Sequence, residues 1–257
     1  MTAASGMKAQ QLQVDSISNN IANVNTSGFK KSSLSFRSLL YQTLREPGAP
    51  TAVGQMNPTG LQVGSGAEVA GSFKQFRQGE LEPTGNVYDL AIQGTGFFQI
   101  RLPSGELRYT RDGSFRVDGT GQVVTSEGYP VQSAPAIPPT AIGAVFGEDG
   151  TVSVINGEGQ PPINVGTMNI FRFPNPAGLK AQGGNLYSET ISSGAPTQSP
   201  PALNGTGSLR QGFRERSNVQ VVDELVALIL AQRNYEVNSR AIRVSDEMLQ
   251  QVNQMIR

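Results

Sequence analysis

Few residues in this chain stand where chemistry could be done. Glu80 and Glu82 come nearest to a catalytic carboxylate pair, the arrangement by which glycan-cleaving enzymes protonate a leaving oxygen and activate water or a nucleophile. Two residues apart on a strand they would share one face, and a solvated face is the plainer reading. Gly94-Thr95-Gly96-Phe97-Phe98 is half of a dinucleotide fingerprint, but the third glycine is missing and strand-forming residues follow it instead of a helix. Asp118-Gly119-Thr120-Gly121 opens like a calcium loop, yet the further carboxylates and terminal Glu of an EF-hand do not follow, and a hairpin turn accounts for it. Lysines occur only at 8, 30, 31, 74 and 180, and no G-x-S-x-G elbow accompanies them.

Composition points the same way. The 257 residues include no His, Cys or Trp, which removes disulfides, thiol nucleophiles, a His general base and the usual Cys/His zinc sites. The chain is expected to have no catalytic residue, no cofactor and no metal. Twenty basic residues balance twenty acidic ones, so there is no electrostatic footprint for nucleic acid, and a net charge near zero favours association. The longest apolar run, residues 226–231, falls far short of the ~20 needed to span a bilayer, so no membrane insertion is expected. Residues 1–13 are small and polar around Lys8, unlike a secretory signal, which implies a cytoplasmic protein or export by an unusual route. Thirty Gly and 16 Pro at 37% hydrophobic content predict many turns and a modest core.

The elements that organise this chain lie at its two ends. Val221, Leu228, Tyr235, Ile242, Leu249 and Ile256 fall seven apart, the repeat of a helix that keeps one seam against a partner. Near the front, Ala3, Met7, Gln10, Val14, Ile17, Ile21 and Val24 advance by alternating steps of four and three. The pattern predicts helices over about 3–24 and 221–256. Thr26-Ser27-Gly28 stops the first, and Asn218 caps the second, with Asp223 and Glu224 favourable to its dipole. Neither stripe can be buried alone, so the ends must pack on each other or on neighbouring subunits.

Between them the chain reads as β-structure. Asp112-Gly113, Asp118-Gly119, Asp149-Gly150 and Asn156-Gly157 are hairpin signals among alternating residues. The stretch 46–66 is rich in Pro, Gly, Thr and Ala, with Pro47, Pro50, Pro58, Gly60 and Gly64 shaping an excursion that has no core of its own. The expected class is α+β: a mainly antiparallel β middle, with long terminal heptad helices packed as a coiled coil in an assembled filament. The expected division is a terminal helical part (1–28 with 218–257), an extended linking region (29–85 with 205–217) and a β-rich outer domain (86–204).

The segment from Asn19 to Lys30, with Asn19, Asn20, Ala22, Asn23, Asn25, Gly28 and Phe29, resembles the amino-terminal signature of flagellar basal-body rod and hook proteins. Residues 217–249, including Gln232-Arg233-Asn234-Tyr235-Glu236, resemble their carboxy-terminal signature. Within that family the segments 39–45, 58–64, 89–94, 109–115 and 184–190 are most similar to the distal rod members. The resemblance implies a structural subunit, not an enzyme, exported by the flagellar type III apparatus and polymerising with itself into a stiff hollow shaft that carries torque across the periplasm to the outer membrane. It further implies proximal rod proteins below, hook protein above and the P and L rings around it. It assigns the terminal helices to an inner tube and residues 46–66 to stiffness. A proximal rod or hook subunit is the alternative within the family; a β-rich glycan-binding or peptidoglycan-acting module is the alternative outside it.

Overall fold

The computed structural model describes residues 2–46, 50–52, 55–56, 59–157 and 161–255, so Pro47, Pro58 and Ile256 lie outside the described residues. The chain forms two compact units, one from Met1–Ile21, Ser32–Phe73 and Gln220–Arg257, the other from Ala22–Lys31 and Lys74–Val219.

The first unit holds helices α1 (Thr2–Ala22) and α2 (Val221–Met255), roughly 30 and 50 Å long at 1.5 Å per residue. A Cβ added to Gly6 would sit 3.0 Å from Asn238 Nδ2, and Asn20 Nδ2 donates to Glu224 Oε2 at 3.2 Å. An advance from 6 to 20 on α1 is thus a retreat from 238 to 224 on α2, and the helices run antiparallel in step. α1 is shorter than its sequence pattern predicts. The carbonyl of Asn23 accepts from Thr26 N (3.2 Å) in a turn that leads to Gly28 at φ 67°, so Val24 lies beyond the helix.

The rest of this unit is a two-stranded ribbon. Ser32–Ser38 pairs with Ala67–Lys74, Tyr41–Arg45 runs antiparallel to Leu61–Gly64 with a bulge after Thr43, and Pro50–Ala52 returns on Gln55–Met56. The described residues of 46–66 thus include the short pair of 50–52 with 55–56 and the strand Leu61–Gly64, paired with Tyr41–Arg45. Cross-strand pairing satisfies backbone groups of these described strands without a core.

Among the described residues of the second unit, the strands all pair antiparallel. Lys180–Ala181, Leu186–Ser188, Leu107–Thr110 and Phe98–Arg101 form a four-stranded sheet in that order, and Gly143–Phe146, Thr151–Ile155 and Ile163–Thr167 a three-stranded one. Short pairs complete it, including Leu90–Gln93 with Ser208–Gln211 and Leu81–Pro83 with Phe213–Glu215. Side chains alternate across a strand, and the run from Phe97 to Ile100 uses this to serve two cores. Phe98 and Ile100 enter an aliphatic cluster with Leu90, Ile92 and Val152, while Phe97 joins Tyr109, Phe171, Phe173 and Tyr187 in an aromatic one.

The turn signals divide. Asp118-Gly119 and Asp149-Gly150 do close hairpins, where each Asp Oδ1 accepts backbone N–H groups, Thr120 N at 2.8 Å and Thr151 N at 3.0 Å. Hydrogen bonds from the Thr120 and Thr151 hydroxyls and nearby backbone hold both carboxyls below the usual range. Asp112-Gly113 closes no hairpin. The strands on either side of it belong to different sheets, Gly113 O accepts from Leu90 N at 3.0 Å, and a side chain at 113 would collide with the Leu90 carbonyl. There the glycine serves close approach, and Asp112 turns the chain by accepting from Ser114 N at 3.0 Å.

Candidate functional site

The seam predicted from the heptads is only partly covered. On α1, Ile17 is buried and Met7, Val14 and Ile21 are half-buried; on α2, Leu228 and Ile242 are half-buried, while Val221, Tyr235 and Leu249 are exposed. The buried positions of α2 are Glu224 and Ala231, and with Asn238 these make a second column seven apart. Small and polar side chains hid this column from a search for apolar residues. Gln11, Val14, Gln232, Tyr235 and Glu236 line a shallow groove beside the two helices.

α2 carries another stripe that the sequence reading missed. Leu230, Val237 and Val244 each follow a seam residue by two positions, which at 3.6 residues per turn is about 200° round the helix, and all three are exposed. Val222, Val226, Met248 and Met255 extend the exposed apolar face. The seven-residue spacing of 230, 237 and 244 is present in the sequence beside the longer column that runs through 221, 228 and 235. A helix that is apolar on opposite faces has more surface to bury than one partner helix can cover.

The signature at 19–30 divides between the units. In the first, the amide of buried Asn20 grips the backbone of Ser32, accepting from Ser32 N at 2.9 Å and donating to Ser32 O at 3.0 Å. Asn19 is exposed there; past the division at residue 22, Ala22 and Asn25 are exposed and Asn23 Oδ1 accepts from the Thr26 hydroxyl at 3.2 Å. In the second unit, Gly28 and Phe29 are buried and Lys30 is 0% exposed. Lys30 Nζ donates to Glu215 Oε1 at 2.6 Å and to Arg77 O at 2.9 Å. Arg111 Nε stands 3.5 Å from Glu215 Oε2. Two cations thus share one buried carboxylate. Burial pushes the Lys30 ammonium down to about 8; Glu215 pulls it back up, and Arg111 opposes that pull. Burial lowers Arg111 as well and raises the Tyr187 hydroxyl, whose ionisation Glu215 further disfavours.

Sequence reasoning singled out Gly28 and Phe29 but gave Lys30, Arg111, Glu215 and Asn218 no joint role. The sequence pattern places Asn218 as the cap of α2. Its side chain instead accepts from Lys31 N at 2.8 Å and donates to Gln75 O (2.8 Å) and Arg77 O (3.0 Å).

In the ribbon, Pro50 lies in a short strand, Gly60 is exposed, and Gly64 stands across from Tyr41, whose ring would be 3.3 Å from a Cβ at 64. The residues considered for chemistry are solvated or structural. Glu82 is exposed and 3.8 Å from Arg216, Glu80 is exposed, and Gly94 and Gly96 make a bend between strands of different sheets. Among the described residues no helix is long and apolar enough to cross a membrane.

Comparison with known proteins decides what these surfaces belong to. Residues 1–30 match the family described as "Flagella basal body rod protein", 91–154 the "Flagellar hook protein FlgE/F/G D1 domain" and 210–255 the "Flagellar basal body rod FlgEFG protein C-terminal". The flagellar basal-body rod protein FlgG of Buchnera aphidicola subsp. Schizaphis graminum is 48% identical over 251 residues, 97% of this chain and 96% of that protein. The FlgG proteins of Borreliella burgdorferi (46% over 258 residues, 100% and 97%) and Caulobacter vibrioides (47% over 256 residues, 99% and 97%) are similar over nearly their whole length. This chain belongs to the flagellar basal-body rod protein family. Within the family it stands with FlgG, and the likeness runs through helices, ribbon and β-unit alike. The amino-terminal rod signature ends at residue 30, on the lysine of the buried ion cluster. Likeness of that kind does not favour a glycan-acting module.

Proposed function

We infer that this chain is a structural subunit of the distal part of the flagellar basal-body rod, and that it polymerises with itself into a stiff, hollow helical shaft that passes torque toward the hook. One observation carries the polymer reading: α2 is apolar on two opposite faces, and α1 covers only one. Contacts between unlike surfaces of identical subunits generate an open helix when the rotation does not close. In this reading the terminal helices form a coiled-coil inner tube and the β-unit forms the outer wall. The outer ribbon, residues 46–66, wedges between neighbours and resists bending. The partners are further copies of the chain, proximal rod proteins, hook protein, the P and L rings, and the type III export apparatus that delivers the subunit. The shaft crosses the periplasm to the outer membrane.

The test is sedimentation of purified protein over a range of concentrations, with Val237→Asp/Val244→Asp beside the wild type. Wild-type protein should form polymers above a critical concentration, and the variant should remain monomeric with unchanged helix content. Polymers of the variant at the wild-type critical concentration would remove the second stripe from the assembly surface.

A further inference from the structure

The second unit is a continuous stretch, Lys74–Val219, except for one short piece, Ala22–Lys31, that comes from far earlier in the chain. Residues 27–31 of that piece are held as an enzyme or adaptor holds a peptide. Ser27 O accepts from Asn185 Nδ2 (2.8 Å), Gly28 N donates to Glu215 O (2.8 Å), Lys31 N donates to Asn218 Oδ1 (2.8 Å), and Lys31 O accepts from Gln75 N (2.9 Å). Main-chain hydrogen bonds of this kind supply affinity, and side-chain pockets supply specificity.

Three features give specificity. Gly28 has φ 67°, and a Cβ there would lie 2.5 Å from Asp112 N, so only glycine fits without displacing backbone. The Phe29 ring is buried under Lys74 Nζ, 4.5 Å from its centroid. Lys30 reaches a buried carboxylate and a carbonyl at the end of its stem.

The groups that grip the segment are also held by one another. Glu215 Oε1 accepts from Gly79 N at 2.9 Å and its other oxygen faces Arg111, and Arg111 Nη2 donates to Gly94 O at 2.5 Å. Asn218 is fixed by the Gln75 and Arg77 carbonyls. None of these bonds is made by residues 27–31.

We propose that residues 74–219 form a peptide-binding site specific for a Ser-Gly-Phe-Lys segment that turns at its glycine, filled in this structure by the chain's own residues 27–30 and able to accept the same segment from a second copy. The site does not depend on the assembly reading, because it lies within one unit of one chain.

The experiment uses the full-length chain carrying Lys30→Glu, which sets a carboxylate against Glu215 and expels the chain's own segment, below the concentration at which wild type polymerises. The probe is a fluorescent peptide of the native sequence 22–34, followed by anisotropy. The variant should bind it saturably. Wild type should not, because its tethered segment competes at an effective concentration of order millimolar. Peptides carrying Gly28→Val or Lys30→Met should bind at least tenfold more weakly. Should the variant fail to fold, refolding with the native peptide should restore its near-ultraviolet circular dichroism and refolding with the Gly28→Val peptide should not. The proposal is overturned by a folded variant that shows no saturable binding, by equal binding of native and substituted peptides, or by an unfolded variant that the native peptide does not rescue.

Discussion

Asn20 holds Ser32 by both ends of its backbone, with Oδ1 accepting from Ser32 N at 2.9 Å and Nδ2 donating to Ser32 O at 3.0 Å, while the same Nδ2 reaches Glu224 at 3.2 Å. One buried amide thus joins the end of α1, the start of the ribbon and the first turn of α2. Asn20→Ala should cost about 1–3 kcal/mol, the usual penalty for buried polar groups left without a partner. Asn20→Asp should cost more, since it replaces a donor by a carboxylate facing Ser32 O and Glu224. Denaturant unfolding followed by helix signal tests the order; an Asp variant as stable as the Ala variant would contradict it.

Lys30 sets a pH dependence whose sign can be worked out. Its pKa is about 8 in the folded chain and near 10.4 when unfolded. Below pH 8 both states carry the proton and stability from this group is flat. Between pH 8 and 10 the unfolded chain holds a proton that the folded chain has released, so stability rises with pH. Tyr187 stays neutral through that window because its pKa is raised, and the shared response of Lys74, also lowered by burial, cancels against a reference variant. Wild type should therefore gain stability relative to Lys30→Met as pH goes from 7.5 to 10. A difference that stays level or falls, measured by chemical denaturation, would show that burial does not dominate at Lys30.

Leu228 and Ile242 lie on the α1-facing side of α2, half-buried. Trimming a buried Leu or Ile to Ala costs about 2–5 kcal/mol, and half-burial should reduce this to about 1–2 kcal/mol each. Leu228→Ala/Ile242→Ala should lower the unfolding midpoint of the helices, unlike changes at Val237 and Val244, which leave it unmoved. An unshifted midpoint would mean that the antiparallel helix pair draws its stability from elsewhere.

The ribbon permits a cleaner deletion than composition alone suggests. Removing residues 48–59 leaves Glu46, Pro47 and Gly60 to join the paired strands Tyr41–Arg45 and Leu61–Gly64. Export and polymerisation should persist, and the filaments should bend under electron microscopy. Straight filaments of unchanged stiffness would place rigidity outside this stretch.

Periodic elements were legible in the sequence because a helix repeats its environment every few residues. The two terminal helices follow from the heptads to within a few residues, and the hairpins at Asp118 and Asp149 follow from local turn chemistry. The ion cluster was not legible. Lys30, Arg111 and Glu215 are scattered across the chain with no repeat between them, and only the fold brings them within bonding distance. Asp112-Gly113 misled for a related reason: an Asp-Gly pair signals a tight turn, but what makes Gly113 necessary is the Leu90 carbonyl, a distant partner.

Because Ala22–Lys31 completes a unit otherwise built from Lys74–Val219, the middle of this chain is not a portable cassette. A chimera that exchanges residues 74–219 between relatives while leaving the amino-terminal segment behind pairs each receptor with a foreign key. Grafts that carry residues 22–31 along with the β-unit keep lock and key together, and the exchange boundaries then number four, at 21/22, 31/32, 73/74 and 219/220.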